Sequence, residues 1–196
     1  MDADAWSSLA FVAAGLWVVV RRHRPGPDGR SGDAPRTRAA LGVLAILVGV
    51  GSVLQHGPAP AWNPLLHDPP LLGVYALVAA DAVADLTGRP LRTWWWLAPT
   101  LADVALAAVV PAASMVAQAT AAAVAIVATL TRAAARPALR ARLLTAVAVL
   151  GVGGSFWFVE PWGHGVWHAL AAVAIAVVAP AVGWREVVTT GPAGRP

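Results

Sequence analysis

Four polar side chains stand at helical spacing beside long apolar runs. Ser52 and His56 are four apart in Gly51-Ser52-Val53-Leu54-Gln55-His56, and His164 and His168 are four apart in His164-Gly165-Val166-Trp167-His168. Residues i and i+4 lie one above the other on a helix, so each pair faces one way. Asp68 adds a carboxylate shortly after His56. Three imidazoles with a carboxylate nearby form a set that suits zinc, whose catalytic sites take three protein ligands and leave the fourth position to water. The chain has no cysteine, which excludes disulfides and thiolate ligands.

These groups can act together only if the elements between them bring them to one place. Of the 196 residues, 58% are hydrophobic and 12% charged, against about 25% charged in a soluble domain. Mean hydropathy is +0.66. The composition is that of an integral membrane protein. Seven apolar segments approach the roughly 20 residues that span a bilayer: about Ala5 to Val20, Ala39 to Gln55, Pro70 to Leu86, Thr93 to Val110, Ala112 to Thr131, Leu143 to Val159 and Gly165 to Trp184. The break between the fourth and fifth rests on Pro111 alone. No internal repeat is visible, and residues 1–196 read as a single domain.

All basic residues are arginines. Arg21, Arg22, Arg24, Arg30, Arg36 and Arg38 follow the first segment, and Arg89 and Arg92 the third. Arg132, Arg136, Arg140 and Arg142 follow the fifth, and Arg185 and Arg195 the seventh. They fill alternate connections, so the positive-inside rule places the N-terminus outside and the C-terminus in the cytoplasm. The net charge of +4 is thereby explained by topology and calls for no nucleic-acid partner. Asp2 and Asp4 precede the first segment and arginines follow it, the reverse of a secretory signal. Residues 21–38, with the Gly- and Pro-rich stretch Pro25 to Pro35, read as a flexible cytoplasmic loop, and 185–196 as a short tail. The arginine-rich, lysine-free composition suggests a high-GC bacterial source, and so the inner membrane.

This topology puts the end of the second segment and the starts of the third and seventh on the outer side. His56, Asp68, His164 and His168 then fall at one depth, with Glu160 beside them. Glu160, His67 and Asp68 are candidates to orient the second nitrogen of a ligating histidine. Asp81, Asp85 and Asp103 lie inside apolar segments, where acids are costly and face the bundle interior or water. Asp85 is in reach of Arg89, and Asp81 and Asp103 are candidates to bond each other or to line a polar cavity. Most of the tryptophans read as interfacial belts, while Trp167 stands between the two paired histidines.

Ser-x-x-x-His ending the second helix, Asp at the start of the third and His-x-x-x-His on the seventh resemble the alkaline ceramidases and their wider superfamily, which includes the progestin and adipoQ receptors. Gly-Ser-Val-Leu-Gln-His, Leu-Leu-His-Asp and His-Gly-Val-Trp-His-Ala-Leu carry the likeness, with Trp6-Ser7-Ser8-Leu9-Ala10-Phe11 similar to the family's first helix, where Asn often stands at the place of Ser8. The resemblance implies a zinc-dependent amide hydrolase acting on a membrane lipid. His56, His164 and His168 would hold the metal, Asp68 would act as acid and base on the attacking water, and Ser52 would hydrogen-bond near the metal. The family's acidic, calcium-binding N-terminal stretch is reduced here to Asp2 and Asp4.

The expectation is an all-α, seven-transmembrane-helix bundle in the cell membrane, with a zinc site near the outer face and a lipid substrate. Two other readings compete. One is a receptor-like or structural zinc protein with little turnover. The other is a bis-histidine haem protein, distinguishable by its colour, in which Ser52 and Asp68 would have no purpose.

Overall fold

Within an apolar surround a backbone must satisfy its own hydrogen bonds, and helices do so within one segment. The structure, a computed structural model, describes residues 3–24, 34–159 and 161–185, and among these every regular element is helical. In chain order they are α1 (Ala3–Ser7), α2 (Leu9–Arg21), α3 (Ala34–His56), α4 (Pro64–Thr87), α5 (Trp94–Val109), α6 (Pro111–Ala135), α7 (Pro137–Phe156) and α8 (Gly163–Val178), which closes in a 3₁₀ turn at Ala179–Ala181. α1 and α2 run on as one rod past Ser8. Counting that rod as one, six helices are long and apolar enough to cross a membrane, and α5, with 16 residues, is a shorter apolar helix. The chain is a multi-pass membrane protein.

Proline and glycine set several boundaries. Pro64, Pro111 and Pro137 open α4, α6 and α7, where the missing N–H is not needed. The break at Pro111 is real: Val110 leaves the helical region at φ −140° and ψ 77°, as a residue before proline tends to do. α4 ends at Gly88, left-handed at φ 65°. Three helices begin earlier than their apolar stretches. α3 takes in Arg36 and Arg38, α4 takes in Asp68, and α7 takes in Arg140 and Arg142. Hydropathy registers only the apolar middle of a span, while its polar ends are helical too. Residues 25–33, Glu160 and residues 186–196 lie outside the described residues.

α4 packs on α3, α5 and α6, while α8 packs on α7 and α2. Small residues permit close crossings. A Cβ on Gly42 would stand 2.7 Å from Gly15 O, and one on Gly49 would stand 2.9 Å from Val12 N, so α2 and α3 meet backbone to backbone.

At the end of the bundle away from the histidines, the buried acids of α4 are neutralised by arginine. Arg132 donates from Nη1 to Asp81 Oδ2 at 2.9 Å and from Nε to Asp85 Oδ2 at 2.8 Å. Arg136 Nε donates to Asp85 Oδ2 at 3.2 Å, and Arg185 Nη1 to Asp81 Oδ1 at 2.9 Å. The backbone N–H of Gly183 also points to Asp81. This corrects two expectations. Asp85 is held by Arg132 and Arg136 rather than Arg89, because the left-handed Gly88 turns the chain before Arg89 is reached. Asp81 pairs with arginine rather than with Asp103, because Arg132, in the last turn of α6, reaches between acids one turn apart on α4. Arg38 ties the same end together, donating to Val182 O at 3.1 Å and Pro180 O at 2.7 Å.

Candidate metal centre

α3 ends at His56 while α8 begins just before His164, so helix termini alone bring these side chains to the same end. His56, His164 and His168 offer ring nitrogens that all lie within 4.8 Å of one another. Ring centroids are 4.8 Å apart for His56 and His164, 5.2 Å for His56 and His168, and 4.5 Å for His164 and His168. His168 is buried, while His56 and His164 are half-buried.

Two hydroxyl groups, of Ser7 and Ser8, face Nδ1 of His168. Ser7 Oγ and Ser8 Oγ donate to the backbone carbonyl of Asp4, at 2.9 and 2.7 Å. A hydroxyl has one proton and two lone pairs, so both serines offer only lone pairs to His168 Nδ1, 2.9 Å from Ser7 and 3.3 Å from Ser8. In that arrangement Nδ1 carries the proton and Nε2 keeps its lone pair for the cluster. Ser52 Oγ lies 2.8 Å from Ser8 Oγ and 3.4 Å from His168 Nε2. Because the proton of Ser8 goes to Asp4 O, that of Ser52 goes to Ser8. Ser52 is fully buried and stands behind the histidines.

In front of them is a cavity of about 560 Å³. His56, His164, His168 and Asp68 line it, and its walls run down α8 to Val178, about 15 Å below His168 at 1.5 Å per residue. Below the histidines the walls are mainly alanine, valine, leucine and isoleucine, with Gln118, Tyr75 and Thr129 among the polar exceptions. Asp68 accepts from His67 Nδ1 at 2.7 Å, so His67 is the partner of Asp68. Its other oxygen accepts from Ser114 Oγ at 3.5 Å.

The three ring nitrogens lie within 4.8 Å of one another, and one pair is already at the spacing a shared ion requires. Two nitrogens bound to one zinc at about 2.0–2.1 Å are about 3.4 Å apart, and His56 Nε2 and His164 Nε2 are 3.2 Å apart. Comparison with protein-family models finds no match, and comparison with curated proteins finds none either. Chemistry and geometry must carry the functional reading.

The three histidines named from spacing are thus together, and Asp68 opens onto the same cavity. Asp81 and Asp85 are elsewhere, at the arginine end. Sequence reasoning missed Trp157, whose ring meets that of His164 edge-on at 4.4 Å; its place at the end of α7 resembled that of any belt tryptophan. It also missed Ser7 and Ser114. Ser7 stands beside Ser8 in a short polar step before an apolar run, which was the one available signal.

Proposed function

We propose that the chain is a metal-dependent hydrolase of an amide-linked membrane lipid, with zinc held by His56, His164 and His168. The observation that carries this reading is the meeting of three imidazoles and a carboxylate along one mainly apolar cavity. Zinc in such a place supplies Lewis-acid chemistry and makes water acidic near neutral pH.

The chain's own residues do the rest. The apolar walls take an acyl chain and exclude water, placing the polar linkage at the histidine end. Asp68 accepts a proton from the attacking water and returns it to the leaving amine. His67 holds one oxygen of Asp68 and so sets the plane of the carboxylate. Ser7 keeps His168 in the tautomer whose Nε2 is free to ligate. Ser52 contributes by donating to Ser8, whose lone pair faces His168 Nδ1, or, after a change of rotamer, by donating to the carbonyl oxygen as charge develops there.

The same reading includes seven spans with α5 as the fourth, the N-terminus outside and the arginine end in the cytoplasm. A bare ion is favoured over haem, because a porphyrin needs axial imidazoles on opposite sides of its plane and these three rings are mutual neighbours. A zinc protein with little turnover would share the histidines but would have no use for an acid at the cavity. The test is release of free fatty acid by purified protein from N-acylated lipids of graded chain length, with and without chelation. Metal-dependent release supports the hydrolase, while zinc without release supports the structural alternative.

A further inference from the structure

Asp103, on α5, is wholly buried, and among the described residues neither of its carboxyl oxygens has a hydrogen-bond partner. Asp81 and Asp85 are buried as deeply but are held by arginines. A buried polar group without a partner is rare enough to require a reason. With no ion pair to it among the described residues, a carboxyl group inside a membrane bundle is accommodated as the neutral acid.

Ser114 and Asp68 lie near enough to act on the charge of Asp103, though no hydrogen bond to it is formed. Ser114, near the start of α6, is fully buried. It receives a hydrogen bond from Gln118 Nε2 at 3.1 Å and reaches Asp68 Oδ2 at 3.5 Å, the outer limit of such a bond. A serine between two carboxyl groups has one proton to give and two lone pairs to fill. Gln118 fills the first lone pair. If the acid proton of Asp103 fills the second, the proton of Ser114 can go only to Asp68.

We infer that Asp103, as the neutral acid, and Ser114 are positioning residues for Asp68. A small rotation lets Asp103 donate to Ser114 Oγ, and Ser114 then donates to Asp68 Oδ2. With Oδ1 held by His67, the carboxylate is fixed at both oxygens and keeps its remaining lone pairs toward the cavity. The role assigned to Asp68 rests on the hydrolase reading, whereas the hydrogen-bond chain does not.

The experiment uses the full chain in lipid nanodiscs, with a fluorescent N-acylated amino alcohol as the probe. Asp103→Ala and Ser114→Ala should each lower kcat about tenfold to a hundredfold, the worth of one hydrogen bond to a charged group. KM and bound zinc should not move. Asp103→Asn, whose amide can donate from the same place, should recover kcat to within about threefold of the unaltered chain. The double variant Asp103→Ala, Ser114→Ala should be no worse than either single variant, because both break one chain. Losses that multiply, a change in KM alone, or Asp103→Asn as poor as Asp103→Ala would overturn the inference. Infrared spectra with isotope-labelled aspartate supply a readout free of activity. A carboxylic-acid carbonyl band should be present, vanish in Asp103→Asn and shift in Ser114→Ala. If the unaltered chain cleaves no N-acylated lipid, the hydrolase reading fails while the band still decides the chain. Absence of the band overturns the inference even in an active enzyme, and the spectra stand should Asp103→Ala fail to fold.

Discussion

His164 Nε2 lies 3.2 Å from His56 Nε2, although 108 residues separate them in the chain. One is the last residue of α3 and the other the second of α8, so the pair closes the bundle at one end as the arginine network closes the other. Without a shared ion, one of the two nitrogens must carry a proton and donate to the other. With a shared ion both present lone pairs, and the third imidazole completes the set. Purified protein should accordingly hold about one zinc per chain. His164→Ala with His168→Ala should reduce it to background by elemental analysis, and zinc unchanged in that variant would end the assignment.

Membrane orientation gives a second prediction. Arg38, at the start of α3, and His56, at its end, are 18 residues apart, about 27 Å along the axis. The arginine end and the histidine end therefore belong to opposite sides of the membrane. A reporter fused after Arg30 should report cytoplasm, and one inserted near Ala61 should not. The reverse pattern would place the histidines at the inner face.

The arginine network predicts where stability is concentrated. Arg132 is 3% exposed in its side chain and bridges Asp81 and Asp85, which are 0% and 2% exposed. Arg132→Ala leaves two buried acids short of a partner, a kind of loss worth about 3–5 kcal/mol. Arg185→Ala should cost much less, because that side chain is 31% exposed and partly screened. Thermal unfolding in detergent should show a large fall in Tm for the first variant and a small one for the second. Equal falls would mean that Asp81 depends on Arg185 as much as on Arg132.

Much of this was legible from the sequence, for identifiable reasons. Apolar length gives helices, proline gives their starts, and i, i+4 spacing gives His164 with His168. The convergence of His56 with that pair follows from counting spans and needs no contact information. What could not be read were pairings made by long side chains across helices. Arg132 stands 47 residues from Asp85, and no local pattern selects it over Arg89. The role of Ser7 was hidden for another reason, since it depends on which lone pairs are left once both serine hydroxyls have donated to Asp4 O.

Gly51 links packing to the site. A Cβ there would stand 2.5 Å from Leu66 O and 2.7 Å from His67 Cα. Pro70 has no N–H to give Leu66 O its usual helical bond, so that carbonyl is left to approach α3. Gly51→Ala should push α4 outward and carry His67 and Asp68 with it. Zinc should stay, because the three histidines lie on α3 and α8, while kcat should fall at least about tenfold, as small misplacements of a catalytic group do. Loss of zinc in step with activity would show instead that the whole end of the bundle had moved.

Asp68 separates mechanism from metal binding. It lines the histidine cavity, but the ligand set proposed for the ion, His56, His164 and His168, does not include it. Asp68→Asn should therefore keep zinc while hydrolysis falls by about 10²–10⁴, the usual worth of a general acid–base group. The amide keeps the shape of the carboxylate, and its oxygen can still accept from His67 Nδ1, while its NH2 cannot accept from Ser114 as Oδ2 does; zinc retained beside the lost activity is what separates the missing base from a collapsed site. His56→Ala should lose zinc and activity together. Ser52→Ala should keep zinc; a loss of about 10²–10³ would mark a donor to the reacting carbonyl, and a smaller one would mark the buried hydroxyl chain through Ser8 seen behind His168. If Asp68→Asn lost zinc in parallel with activity, Asp68 would belong to the ligand set or orient one of its members. If it lost neither, no acid at the cavity would be needed, and a histidine-bound ion that only braces α3 against α8 would be the better account.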